Sequence, residues 1–118
     1  FLSSLACLAE FGERITKLFA SHIINEQGAY GVIVCKNGTR QLIIVDDYLP
    51  CKNGKPCFSR SNGEELWVLI LEKAWAKVHG SYERIESGMT YLTVRDLTGS
   101  PGHVYNIENT ENLYEIML

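Results

Sequence analysis

Stretches of like charge are missing from this sequence. Eleven Lys and Arg stand against fourteen Asp and Glu, a formal net charge of −3, and no basic run occurs. That balance argues against nucleic acid or an anionic membrane surface as the main partner. Long apolar runs are missing too. None approaches the ~20 residues that span a bilayer, which excludes membrane insertion by this chain. The opening FLSSLACLAE is apolar but lacks a Met and a basic n-region, so it does not read as a signal peptide. A chain that starts inside a helix, on Phe1, reads as a fragment. No CxxC pair is present, so zinc-knuckle spacing is absent. There is no internal repeat, and the triplet KNG occurs twice only because both copies are turns. The low hydrophobic content of a disordered chain is also lacking. At 46% hydrophobic and 118 residues, the sequence predicts one small domain with a modest core.

What is present is concentrated in one block, Asn62 to Gly88, NGEELWVLILEKAWAKVHGSYERIESG. Leu66, Trp67, Leu69, Ile70, Ala74 and Val78 recur at helical spacing, and Val68, Leu71 and Trp75 widen the stripe. A helix apolar over so much of its circumference belongs in a core, with Trp67 as a large anchor. Asn62 and Glu65 have the spacing of a capping box. His79 and Gly80 supply the stop, a basic group in the last turn and then a residue free to turn left-handed. The helix is predicted over 63–79, followed by a short helical segment in SYERIESG.

The remaining elements follow from local pattern. Leu2, Leu5, Leu8 and Ala9 predict a helix over residues 1–10, with small Ser3, Ser4, Ala6 and Cys7 allowing close approach of a neighbour. A second helix is expected from Gly12 through Phe19. Tyr30–Lys36 and Arg40–Asp46 are rich in β-branched residues and joined by Asn37-Gly38, a hairpin signal. Both faces of each strand are apolar, so the hairpin should be covered on both sides. A third strand is expected near Cys57–Ser59. Thr90–Leu97 has no readable alternation. Leu113, Ile116 and Met117 predict a C-terminal helix, with Asn109 or Thr110 as cap. The fold class is α+β, helices around a small antiparallel sheet.

Cys7 and Cys35 read as small buried hydrophobes. Cys51 and Cys57 flank the loop KNGKP. A disulfide or half a metal site is open to them, with reduced thiols of an intracellular protein as the reading adopted. Asn37-Gly38-Thr39 matches a glycosylation sequon that its turn chemistry already explains. Asp46 and Asp47 point to opposite strand faces, so they predict capping or a salt bridge rather than a paired-carboxylate site.

Three stretches carry a resemblance. VDDYLP at 45–50, GEELWVLILEKAWAKVHGSYERIESG at 63–88 and DLTGS at 96–100 resemble, in order and separation, the VDDxLP, EFWxALLEKAYAKxxGxYExLxGG and DFTGG of the calpain protease core. FLSSLACLAE resembles the helix just behind that family's nucleophile. The resemblance covers nearly all of residues 1–118. It implies an α+β papain-like subdomain, the N-terminal half of a calpain catalytic core. It also implies the chemistry of a calcium-dependent, intracellular (cytoplasmic) cysteine endopeptidase acting on protein substrates.

The same resemblance places the machinery elsewhere. Phe1 aligns two residues after the nucleophile, and no cysteine here stands in a GDCW context. The oxyanion glutamine, the catalytic histidine and the asparagine are also missing, so no catalytic residue is assigned and the chain should be inactive without the second subdomain. Gly102-His103-Val104-Tyr105 is similar to the motif around the family's histidine. It follows DLTGS too closely, however, and His103 reads as a loop residue. His22 and His79 read as loop and helix-end residues. Glu65 aligns with a calcium-binding glutamate of the intact enzyme, a hard oxygen ligand for a hard cation, with no calcium expected on this piece alone. Gly88 aligns with a glycine whose backbone binds extended substrate, where a side chain would obstruct strand-like pairing. Ser87 and Ser100 depart from the family's glycines at their positions. Two other readings remain: a catalytically dead calpain-like module that binds partners, and an unrelated α+β domain.

Overall fold

The structure is a computed structural model and describes residues 1–57, 66–108 and 112–117. Its elements run in chain order: α1 (Leu2–Ala9), α2 (Gly12–Thr16), β1 (Ala29–Lys36), β2 (Thr39–Asp46), β3 (Cys51–Lys52), β4 (Lys55–Pro56), α3 (Trp67–His79), a 3₁₀ turn (Glu83–Ile85), α4 (Thr90–Thr98) and α5 (Leu113–Met117). The arrangement is α+β, as expected.

β1 and β2 form an antiparallel hairpin in which Tyr30 faces Val45, Val32 faces Ile43 and Val34 faces Gln41. The turn is Asn37-Gly38, both with positive φ (51° and 76°), the backbone whose twist matches the two strands. Alternation then divides the hairpin. Val32, Val34 and Val45 are buried, while Leu42 and Ile44, paired with Ile33 and Gly31 on the other face, are 55% and 50% exposed. The expectation of cover on both faces fails for β2 because helices α3 and α4 both pack against the hairpin's inner side. β3 and β4 form a second, two-residue hairpin through Asn53-Gly54, earlier than the strand expected at Cys57–Ser59. Cys57 lies just past it, its N–H donating to the carbonyl of Pro50 at 2.9 Å, and Ser59 lies outside the described residues.

α3 supplies the centre of the core. Ile70, Leu71, Ala74, Trp75 and Ala76 are buried against Leu5, Leu8, Val32, Val34, Val45, Ile85 and Leu97. At ~1.5–3 kcal/mol for each fully buried large side chain, this helix contributes more than its ~0.5 kcal/mol propensity differences could. Trp67, expected as the anchor, is half-buried at the margin; Trp75 takes the central position at 6% exposure. The stop is as expected: Gly80 adopts φ 100° and its N–H donates to the carbonyl of Ala76 at 2.8 Å. The proposed cap Asn62 and the start at Gly63 lie outside the described residues.

α4 is a helix that alternation could not reveal. Its buried face is Thr93, Asp96 and Leu97, two of them polar, so no apolar stripe exists to be read. It closes on Gly99 at φ 78°, where an added Cβ would sit 3.3 Å from Cys35 Sγ. The small residues of α1 act as expected at Ser4, which is fully buried and donates from Oγ to the Thr90 carbonyl at 3.4 Å. Cys7, by contrast, is exposed, on the outward side from Ser4, Leu5 and Leu8, and Cys35 is half-buried. The expected second helix stops at Thr16. Phe19 instead makes a bridge to Val32, with the Ile33 N–H donating to the Leu18 carbonyl at 2.7 Å.

Candidate functional site

The resembling stretches meet the hairpin through charged residues. From α3, Lys73 donates to Asp46 Oδ1 and to the carbonyl of Tyr48, and Lys77 donates to the carbonyl of Ile44 at 2.7 Å. The VDDYLP stretch is thereby tied to the long helix. The Asp46 carboxyl also accepts from the Tyr48 N–H at 2.9 Å, and these bonds, Lys73's first, hold it below the usual carboxylate range. This is the capping and salt-bridge role expected for it. Asp47 does not converge with it: its N–H donates to Gly28.

From α4, Asp96 is only 3% exposed, the cost of which is met by two cations. Lys36 Nζ lies 2.7 Å from Oδ2, and the Arg95 guanidinium donates twice to Oδ1, at 3.0 and 3.1 Å. Burial pushes the Asp96 carboxyl up, but the bonds from Lys36 and Arg95 outweigh it, and the group ends below its ordinary value. Sequence reasoning missed this pair. The signal was the Asp of DLTGS, but its partner Lys36 is sixty positions away.

These groups floor a small cleft of about 160 Å³ whose lining includes Trp75, His79, Ile85, Gly88, Leu92 and Asp96. Gly88 is exposed, and a Cβ built on it would meet nothing within 4 Å. Open space therefore lies where a side chain would project from it. Phe1 stacks on Trp75 with ring centroids 5.5 Å apart and planes 16° from parallel. The start of α1 is thus fixed against the same ring that lines the cleft of Gly88. His79 also packs against Trp75, ring centroids 4.6 Å apart, with Nε2 buried and without a hydrogen-bond partner among the described residues. Burial, then the nearby Lys36 charge, lowers its pKa, against a smaller opposing pull from Asp96.

The other candidates are dispersed. Glu65 lies outside the described residues. His103 is exposed in the loop after α4, its ring 6.4 Å from Tyr105. His22 Nε2 is 2.8 Å from the Thr16 carbonyl. No hydrogen bond joins a histidine to a cysteine among the described residues. All four cysteines are free thiols. Cys51 pairs across the small hairpin with Pro56, and Cys57 follows just past it. Among the described residues no three His, Cys, Asp or Glu side chains gather as a metal cage.

Comparison with known sequences agrees with the motifs. The profile of the family described as Calpain family cysteine protease matches residues 1–118. Calpain-type cysteine protease ADL1 of Oryza sativa subsp. japonica is 42% identical over 113 residues, which is 94% of this chain and 5% of that protein. Calpain-type cysteine protease DEK1 of Arabidopsis thaliana is 40% identical over 113 residues, again 94% of this chain and 5% of the relative. Calpain-1 catalytic subunit of Rattus norvegicus is 44% identical over 78 residues, 64% of this chain and 11% of that protein. The chain thus spans about a twentieth of the length of the plant relatives it matches. With the family profile matching residues 1–118, and VDDYLP tied to the long helix by Lys73, the chain belongs to the calpain family of cysteine proteases.

Proposed function

We propose that this chain forms the nucleophile-side wall of the cleft of a calcium-regulated, cytoplasmic cysteine endopeptidase, and that it is inactive without the second subdomain. The observation that carries this reading is the Phe1–Trp75 stack beside Gly88. In the resemblance, Phe1 follows the nucleophile by two residues, and a helix N-terminus is where a thiolate is stabilised. The stack holds that end of α1 next to an open glycine main chain. An extended substrate pairing at Gly88 would have its scissile carbonyl near the start of α1. In the intact enzyme the thiolate attacks that carbonyl, the amine departs with a proton from the histidine, and water hydrolyses the thioester. None of those reacting groups belongs to this chain. Its own residues orient α1, present Gly88 and exclude water with Trp75. Calcium regulation through Glu65 rests on family membership and on the chemistry of a carboxylate ligand.

The intact enzyme should hydrolyse casein with thiol dependence. Gly88→Val there should lower kcat/KM at least tenfold with an unchanged melting temperature, because a branched side chain obstructs main-chain pairing. Full activity in that variant would remove Gly88 from the cleft. No turnover by the intact wild-type protein would favour a catalytically dead, partner-binding module.

A further inference from the structure

We infer that the cleft between α2, the β1–β2 hairpin and the end of α4 is a binding site for a phosphomonoester group. Its volume is about 350 Å³, and its lining includes Arg14, Lys17, Arg40, Cys35, Thr98 and Ser100. Three cations line it and no carboxylate does, in a chain whose net charge is −3. This cleft shares neither Gly88 nor Trp75 with the one described above.

Arg14, Lys17 and Arg40 are all exposed, so solvent screens their mutual repulsion; what the cleft offers an anion is a shared positive field with no carboxylate in its lining. Lys36 and Arg95 are paired with Asp96, but Lys17 and Arg40 have no salt bridge among the described residues. Arg14 lies over the Phe11 ring at 4.3 Å, a contact that orients its guanidinium and leaves its charge unneutralised. The C-terminal end of α4 carries roughly half a negative charge, which offsets a fraction of one cation. A doubly charged anion fits the remainder.

The donor set selects among anions. Two guanidiniums offer planar forks matched to phosphate oxygens, and the lysine adds a point charge. The Thr98 hydroxyl is engaged, donating to the Val94 carbonyl at 2.7 Å and accepting from the Ser100 N–H at 3.1 Å, which fixes the floor. The Ser100 hydroxyl is exposed at the rim as a further donor. The volume lies near the lower end of small-ligand sites, suited to a phosphorylated head rather than a folded partner. A soluble phosphate ester and a phosphorylated lipid headgroup share this chemistry.

Isothermal titration of the chain with inositol 1,4,5-trisphosphate tests the site. Saturable one-to-one binding is expected, weakened at least tenfold in Lys17→Gln/Arg40→Gln. Lys52→Gln/Lys55→Gln removes equal charge from the distant β3–β4 hairpin and should change affinity less than twofold. Circular dichroism melts confirm that both variants fold. Vesicles of phosphatidylcholine with phosphatidylinositol 4,5-bisphosphate distinguish the source. Binding that the soluble ester displaces assigns a lipid headgroup, and soluble binding alone assigns a free ester; either upholds the site. No saturable binding, equal loss in the two double variants, or equal competition by a short single-stranded oligonucleotide would overturn it.

Discussion

At the scale of single residues, the informative positions are polar groups placed where apolar ones would pack. Asp96 is buried and twice bridged, Ser4 is buried to admit α4, and His79 has a buried Nε2 with no partner among the described residues. His79 makes a pH prediction. Its folded-state pKa lies below the ordinary 6.5, so between those two values the unfolded chain binds more protons. Stability is therefore full above about pH 6.5 and falls as the pH drops through the folded value. Carboxylate protonation acts lower, near pH 4 and below. His79→Leu keeps an apolar group of similar size against Trp75 and removes the titrating ring. Urea midpoints measured from pH 7.5 to 5 should fall in the wild type and be flatter in the variant. Parallel curves would show that His79 charges freely in the fold.

At the scale of elements, helix α3 was readable and helix α4 was not, for the same physical reason. Periodicity reports a buried face only when that face is apolar. Ile70, Leu71, Ala74 and Trp75 satisfy that condition, while Thr93 and Asp96 do not. Periodicity also cannot rank positions within a wide stripe. Trp67 and Trp75 both fit the pattern, yet only contact with Phe1, His79 and Ile85's side of the core distinguishes the second. Trp75→Ala should cost ~3–5 kcal/mol, the range for a buried large aromatic. Trp67→Ala, on the half-buried margin, should cost clearly less. Chemical denaturation of both variants measures the order, and a larger loss at Trp67 would reverse this assignment of the core.

At the scale of the whole molecule, the chain is proposed to support chemistry whose reacting groups lie outside it. Its thiols are Cys7, Cys51 and Cys57 on the surface and Cys35 half-buried beside Gly99, and none is hydrogen-bonded to a histidine among the described residues. A cysteine protease needs a thiolate with a base in reach. The chain alone should therefore give no casein hydrolysis above background, with or without calcium. Thiol-dependent turnover lost on changing one of these four cysteines would overturn that expectation. The outer hairpin face, with Leu42 and Ile44 about half exposed, was misjudged from sequence. A strand apolar on both sides has the composition of a sandwiched strand whether or not a second layer is present.

Sequence alone settled the family, the turns and the long helix. Those rest on local chemistry: Asn-Gly dihedrals, a glycine stop, and motifs that are contiguous in the chain. Tertiary structure decided which tryptophan is central, where Asp96 finds its cations, and what surrounds Gly88. It also gathered Arg14, Lys17 and Arg40 into one cleft, in a chain whose sequence shows no basic run. Charge and burial depend on distances between residues far apart in the chain, and only the folded backbone sets those distances.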